Sequence, residues 1–210
     1  MNGFYINLDS REDRKEHIEK MKNEISFFKN VQRMPAIYKT QNDIGCSLSH
    51  IKCLTELLKK NDDHYLIMED DFFILHKQNF IEFTYYFNLI KNDEDWDMIV
   101  LTPRGETQKK NYKGNFHKII DNQTATGYII KHKFINTLLE NIKDGCVNLM
   151  KGYYGPTPNP YVNDQCWKKL QYNNVWLYFY KIFAGQLPGY SDIEKRIVNY
   201  NYRFIDQINN

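Results

Sequence analysis

The chain has 210 residues and a near balance of 28 basic and 26 acidic side chains, so its formal charge of +2 gives no global field for nucleic acid or an acidic membrane. With 42% hydrophobic residues it can bury a real core, and it reads as one domain over residues 1–210. The four cysteines, Cys46, Cys53, Cys146 and Cys166, form no C-x-x-C pair, which argues against a disulfide framework and for free thiols.

Phe4 to Leu8 reads as a short apolar strand, preceded by neither a charged leader nor a long apolar region. Ser10-Arg11-Glu12-Asp13 has the form of a capping box, opening a helix with Ile18, Met21 and Ile25 on one face. A second helix is expected from Asp43 or Cys46, carrying Leu48, Ile51, Leu54 and Leu58 and ending at Lys59-Lys60. The strand Tyr65 to Met68 follows, then an extended Phe72 to Leu75 and an amphipathic helix from Phe80 to Ile90.

Trp96 to Leu101, Phe116 to Ile120 and Tyr128 to Ile130 read as further strands, the last leading into a helix from Phe134 to Ile142. Between them, Thr102 to Gly114 is polar and reads as a surface loop that could close over a ligand. Gly152 to Pro160, with three alternating prolines, is the clearest loop. Val175 to Phe183 is an aromatic strand candidate, and the tail from Ala184 carries little periodic pattern. Alternation of strands and helices predicts an α/β fold with a mixed, mainly parallel sheet flanked by helices. No apolar run is long enough to span a membrane, so the chain is expected to be soluble and cytoplasmic.

The chemistry concentrates at Glu69-Asp70-Asp71, three carboxylates at the end of an apolar strand. Ligands of open α/β sheets gather at such ends. Alternation points Glu69 and Asp71 one way and Asp70 the other, an acidic pair suited to a hard divalent cation and, through it, a diphosphate. The bland alternative is a solvated turn with one carboxylate acting as a cap. Asp9, Arg11, Asp13 and Arg14 after the first strand could meet an anion at a helix start or simply be solvated. Cys46, His50 and Cys53 share a helix face at spacings that raise zinc, but only three ligands are on offer. That trio reads better as buried thiols, with His50 a polar group near the site or a satisfied core histidine. Asp164 lies beside Trp167, a carboxylate next to an aromatic platform for a sugar face, or else an ordinary helix-start aspartate. Ser191-Asp192-Ile193-Glu194 has the form of another capping box.

In chain order, Tyr5-Ile6-Asn7-Leu8 with Arg11 and Asp13-Arg14, Arg33-Met34-Pro35-Ala36, Gly45-Cys46-Ser47-Leu48-Ser49-His50 and Met68-Glu69-Asp70-Asp71 form a series of short tags. It continues with Gly127-Tyr128-Ile129-Ile130, Val162-Asn163-Asp164 and Ser191-Asp192-Ile193-Glu194. Together they resemble glycosyltransferase family 25, which includes lipooligosaccharide and collagen galactosyltransferases. The resemblance implies a GT-A-like nucleotide-binding fold and transfer of a hexose, galactose or glucose, from a UDP-sugar to a glycan or protein hydroxyl, with inversion. It implies Mn2+ or Mg2+ at Glu69 and Asp71, Asp164 as catalytic base, and lipopolysaccharide or other glycan biosynthesis as the setting.

On the same resemblance, Ile6, Asn7, Leu8, Arg11 and Arg14 border the nucleotide. Ser49, His50 and Asp70 line the donor side, Gly127 and Tyr128 sit near the reacting sugar, and Asp192 is a late acidic position. The partners implied are a nucleotide-sugar donor and a glycan or glycoprotein acceptor, without nucleic acid. A small domain of this type suits a bacterial cytosol or the cytoplasm of a virus-infected host. Two other readings stand beside it: an inactive glycan-binding or scaffold protein of the same fold, and a metal-dependent phosphoesterase or nucleotidyltransferase. The chain lacks the His-x-His and phosphate-loop signatures of the last.

Overall fold

The computed structural model describes residues 1–153, 158–192 and 195–201, with the side chains of 105–112 left aside. The first half alternates strand and helix: β1 (Gly3–Asn7), α1 (Glu12–Glu24), β2 (Val31–Pro35), α2 (Asn42–Leu57), β3 (His64–Glu69), β4 (Phe72–Ile74) and α3 (Lys77–Ile90). The second half holds β5 (Met98–Val100), β6 (Arg104–Lys113), β7 (Phe116–Gln123), β8 (Gly127–Lys131) and α4 (Ile135–Met150). It ends with α5 (Asn163–Cys166), α6 (Lys168–Asn173), β9 (Trp176–Phe179), β10 (Ala184–Gln186), β11 (Gly189–Ser191) and β12 (Arg196–Val198).

Eight strands form one sheet in the order β2-β1-β3-β8-β5-β9-β7-β6. β1 runs parallel to β2 and β3, while β8 lies antiparallel between β3 and β5. β9 is parallel to β5, and β7 is antiparallel to both β9 and β6. Following those pairings, β8 and β7 alone run against the common direction of the sheet, so its strands are mainly parallel. This is the α/β class, with a mixed, mainly parallel sheet flanked by helices, expected from the sequence.

Period-two alternation sorts the buried strands onto two faces. Tyr65 and Ile67 of β3, with Tyr128 and Ile130 of β8, pack under Cys53, Leu54 and Leu57 of α2 and Leu138 and Ile142 of α4. Leu66 and Met68 pack on the other face with Ile18 and Met21 of α1 and Phe80, Phe83 and Phe87 of α3. Phe83 stacks on Phe183 at 4.5 Å and on Phe87 at 5.7 Å, pairs that each add about 0.5–1.5 kcal/mol beyond area burial. The same alternation aims Glu69 at the α2 face.

Several local expectations are corrected. Ser10 is exposed, and α1 begins after Arg11 without a side-chain cap, because Arg11 holds Asp13 in a bidentate pair at 2.9 and 3.0 Å. The polar stretch expected as a loop contains β6, which pairs antiparallel with β7 at the sheet edge. The tail contributes a strand, β10, against β4, and a β11–β12 hairpin. Trp167 is fully buried, donating from Nε1 to the Asn122 carbonyl at 3.0 Å and standing edge-on to Trp176, so it presents no platform to a sugar. All four cysteines are free thiols. The Gly152–Pro160 loop and the Ser191–Glu194 box extend over 154–157 and 193–194, outside the described residues.

Candidate active site

At the strand ends the loops converge on a cavity of about 330 Å³. Its walls come from Ile6 at the end of β1 and Leu8 just after it, Arg14 on α1, Cys46 and Ser49 on α2, Glu69 at the end of β3, and Asp70 and Asp71 beyond it. Thr124, Ala125 and Thr126 before β8 close another wall with Asn163 and Asp164 of α5. Gln186, Asp192, Arg104 and Tyr200 complete the rim.

The three adjacent carboxylates have separate surroundings. Asp70 turns to the α1 side, where Arg14 Nη1 donates at 2.9 Å and Asn7 Nδ2 at 2.8 Å. Burial raises its pKa, while Arg14 and Asn7 oppose that rise. Glu69 turns to α2, with its Oε1 at 3.4 Å from His50 Nε2 and 3.8 Å from Cys46 Sγ. Asp71 lies between, with Arg14 at 3.5 Å and Gln186 at 3.5 Å from Oδ2, and its Oδ1 is buried with no hydrogen-bond partner among the described residues. Burial, reinforced by the charge of Glu69, raises the Asp71 pKa from 3.8 to about 7.

Asp164 stands at the first turn of α5, and its Oδ2 accepts the Thr124 backbone N–H at 3.0 Å. Burial raises its pKa, a rise that the Thr124 N–H bond opposes. Thr124 is at φ +100°, a strained backbone for a β-branched residue. The hydroxyls of Thr124 and Thr126 and both amide atoms of Asn163 are buried without hydrogen-bond partners among the described residues, and all three residues line the cavity. An orphaned buried polar atom costs about 1–3 kcal/mol, so a wall of them is suited to a ligand rich in hydroxyls.

Of the residues predicted from sequence, Ile6, Leu8, Arg14, Ser49, Glu69, Asp70, Asp71, Asp164 and Asp192 meet at this cavity. Asn7 and Arg11 stand behind the wall: Asn7 bonds Asp70, and Arg11 bonds Asp192 at 2.6 Å. The Ser49 hydroxyl donates to Gly45 O and accepts from Ile37 N, so it anchors the neighbouring loop. His50 and Tyr128 are buried beneath the wall, joined at 2.9 Å. Gly127 permits a close approach, but to protein: a Cβ there would lie 2.7 Å from the Phe72 ring. Thr124, Thr126 and Gln186 were not legible as site residues, since isolated hydroxyls and amides carry no sequence pattern. Asn163 entered only as the neighbour of Asp164.

The sequence model of glycosyltransferase family 25, described as an LPS biosynthesis protein, matches residues 32–150. That span includes Glu69–Asp71 and Thr124–Tyr128 but stops before Asp164 and Asp192. No curated protein sequence matches the chain. Among solved structures, a glycosyltransferase involved in the glycosylation of the major capsid of PBCV-1 overlays with a TM-score of 0.49 at 9% identity, covering 83% of this chain and 78% of that one. A197 from STIV overlays at 0.48 and 10% identity, covering 94% and 93%. A UDP-glucose pyrophosphorylase complexed with UDP-glucose overlays at 0.44 and 9% identity, covering 99% and 80%.

Proposed function

As a member of glycosyltransferase family 25 the chain is a glycosyltransferase, and we propose that it moves a hexose, galactose or glucose, from a UDP-sugar to a glycan or protein hydroxyl with inversion. We read residues 1–210 as one catalytic unit for this reaction. The observation that carries the reading is Asp71: a carboxylate enclosed in the cavity wall, facing the charge of Glu69, with one oxygen that has no partner among the described residues.

Two carboxylates with an orphaned oxygen, next to the Gln186 amide, form a hard-oxygen donor set that fits Mn2+ or Mg2+. Glu69 and Asp71 would hold the ion, which when bound supplies neutralisation of the charge that develops on the departing diphosphate. Arg14 and Asn7 fix Asp70 beneath them, so the acidic turn is ordered before ligand arrives. The orphaned Thr124, Thr126 and Asn163 groups hydrogen-bond sugar hydroxyls and fix the ring against the Ala125 wall.

Asp164 is the base. Its carboxylate takes the proton of the acceptor hydroxyl as that oxygen attacks the anomeric carbon and the sugar–phosphate bond breaks on the opposite face. The Thr124 N–H bond orients Oδ2, Gln165 Nε2 donates to Oδ1 at 3.4 Å, and burial makes the carboxylate a stronger base than an exposed aspartate.

The test is a panel of nucleotide sugars with and without manganese, scored for nucleoside-diphosphate release. One donor is expected to turn over in a metal-dependent way. Asp71→Ala abolishes the metal-dependent turnover, and Asp164→Asn lowers turnover about a hundredfold to ten-thousandfold while donor binding persists. Metal-independent turnover, or full activity of Asp164→Asn, overturns the assignment of these roles.

A further inference from the structure

Glu69 has a second set of neighbours that the transfer reaction does not use. Cys46 and His50 stand one helical turn apart on α2, and alternation along β3 brings the Glu69 carboxylate against both. Ligand atoms of the three residues all lie within 4.8 Å of one another. We propose that Cys46 Sγ, His50 Nε2 and the Glu69 carboxylate form a binding site for a thiophilic divalent cation of the zinc class, distinct in donor chemistry from the oxygen-donor pair Glu69 and Asp71.

With Zn–S near 2.3 Å and Zn–N and Zn–O near 2.0 Å, a tetrahedral ion has N···O edges of about 3.3 Å and S···O edges of about 3.5 Å. His50 Nε2 lies 3.4 Å from Glu69 Oε1, and Cys46 Sγ lies 3.8 Å from the same oxygen. The triad is therefore within a few tenths of an ångström of two edges before any ion enters. Cys53, the third member of the sequence trio, is packed among the core residues under α2, and Glu69 takes its place.

The support around the histidine completes the case. His50 is fully buried, and its Nδ1 lies 2.9 Å from the Tyr128 hydroxyl. When that hydroxyl accepts from Nδ1–H, Nε2 turns its lone pair toward Cys46 and Glu69, the outer-shell arrangement that orients metal-binding imidazoles. Cys46 and Glu69 line the cavity, so a fourth ligand position opens to water or substrate. Because Glu69 is shared, an ion here withdraws a carboxylate from the oxygen-donor pair; the resulting inhibition of transfer rests on the function proposed above, whereas the binding itself does not.

Cobalt(II) is the probe, because a thiolate ligand gives it a charge-transfer absorption. The purified full chain is expected to develop that absorption at one equivalent and lose it on addition of zinc. Cys46→Ser abolishes the absorption, Asp71→Asn retains it, and Tyr128→Phe weakens cobalt affinity about tenfold to a hundredfold through the freed imidazole. In the unmutated chain, one equivalent of zinc slows alkylation of Cys46, mapped by mass spectrometry. No absorption in the unmutated chain, its persistence in Cys46→Ser, or unprotected alkylation of Cys46 overturns the proposal. Manganese-dependent donor turnover is scored separately, so failure here is distinguishable from failure of the transferase roles.

Discussion

Thr124 carries two features that rarely coincide by accident. Its backbone sits at φ +100°, and its hydroxyl is buried without a partner among the described residues while its N–H holds Asp164. Backbone strain of this kind costs on the order of 1–3 kcal/mol and persists where the surroundings over-determine it, often in functional sites. Thr124→Gly is expected to stabilise the fold by about 1 kcal/mol, since roughly 2 kcal/mol of relieved strain exceeds roughly 1 kcal/mol of added unfolded-chain entropy. The same change removes a hydroxyl available to the sugar, and kcat/KM should fall by about threefold to tenfold, the loss of one hydrogen bond. Thr124→Ala separates the effects: it loses the activity but keeps the strain, so urea unfolding of the pair, read beside their kinetics, checks both halves.

At the scale of elements, the site depends on how closely α5 can approach α4. Gly145 lies in α4, and a Cβ there would fall 2.7 Å from Tyr161 O and 3.0 Å from Cys166 Sγ. Gly145→Ala must push the segment that carries Asp164 outward, at a cost of about 1–3 kcal/mol. Its thermal midpoint should drop and kcat should fall. Manganese affinity, measured by calorimetry, should stay near that of the unmutated chain because Glu69 and Asp71 follow β3. Equal loss of metal affinity would show that the two halves of the cavity do not move independently.

The same elements mark what was legible in the sequence. Strongly apolar β1, β3 and β8 and the helices between them announce themselves by period, and the carboxylates follow from the abrupt end of β3. β6 is polar because it is an edge strand with a partner on one side only, so composition reads it as a loop. Trp167 beside Asp164 suggests a platform, but neighbours in sequence at a short helix point in different directions, and this indole enters the core. Cys46 and His50 were visible as a helical pair, while their partner Glu69 comes from a strand 19 residues beyond His50 and is found only when the fold closes.

For the whole molecule, raised carboxyl groups make folding depend on pH and on cations together. Asp71 moves from 3.8 to about 7 through burial and the charge of Glu69, so the folded chain holds its proton over a range where the unfolded chain has released it. By linkage, its contribution is fully present below about pH 4 and is lost as the pH rises through about 7, on the order of 4 kcal/mol. Burial raises Asp70 and Asp164 in the same sense. Glu19 and Asp63 run oppositely: burial raises them, but hydrogen bonds led by Lys22 and by Lys131 hold them below their ordinary values, and their contribution is complete above about pH 5. His64 and His117, lowered by burial, gain stability as the pH rises toward 6.5, a gain that is complete above that value. The histidine trend is common to the unmutated chain and Asp71→Asn, so the difference between them isolates Asp71. Without metal, the advantage of Asp71→Asn in thermal midpoint should grow from pH 5 to about pH 7 and level off by pH 8. Manganese binds the ionised form and should close most of that gap at pH 8 while changing little at pH 5. A gap that is independent of pH, or that manganese leaves open, would remove Asp71 as the group linking cation binding to folding.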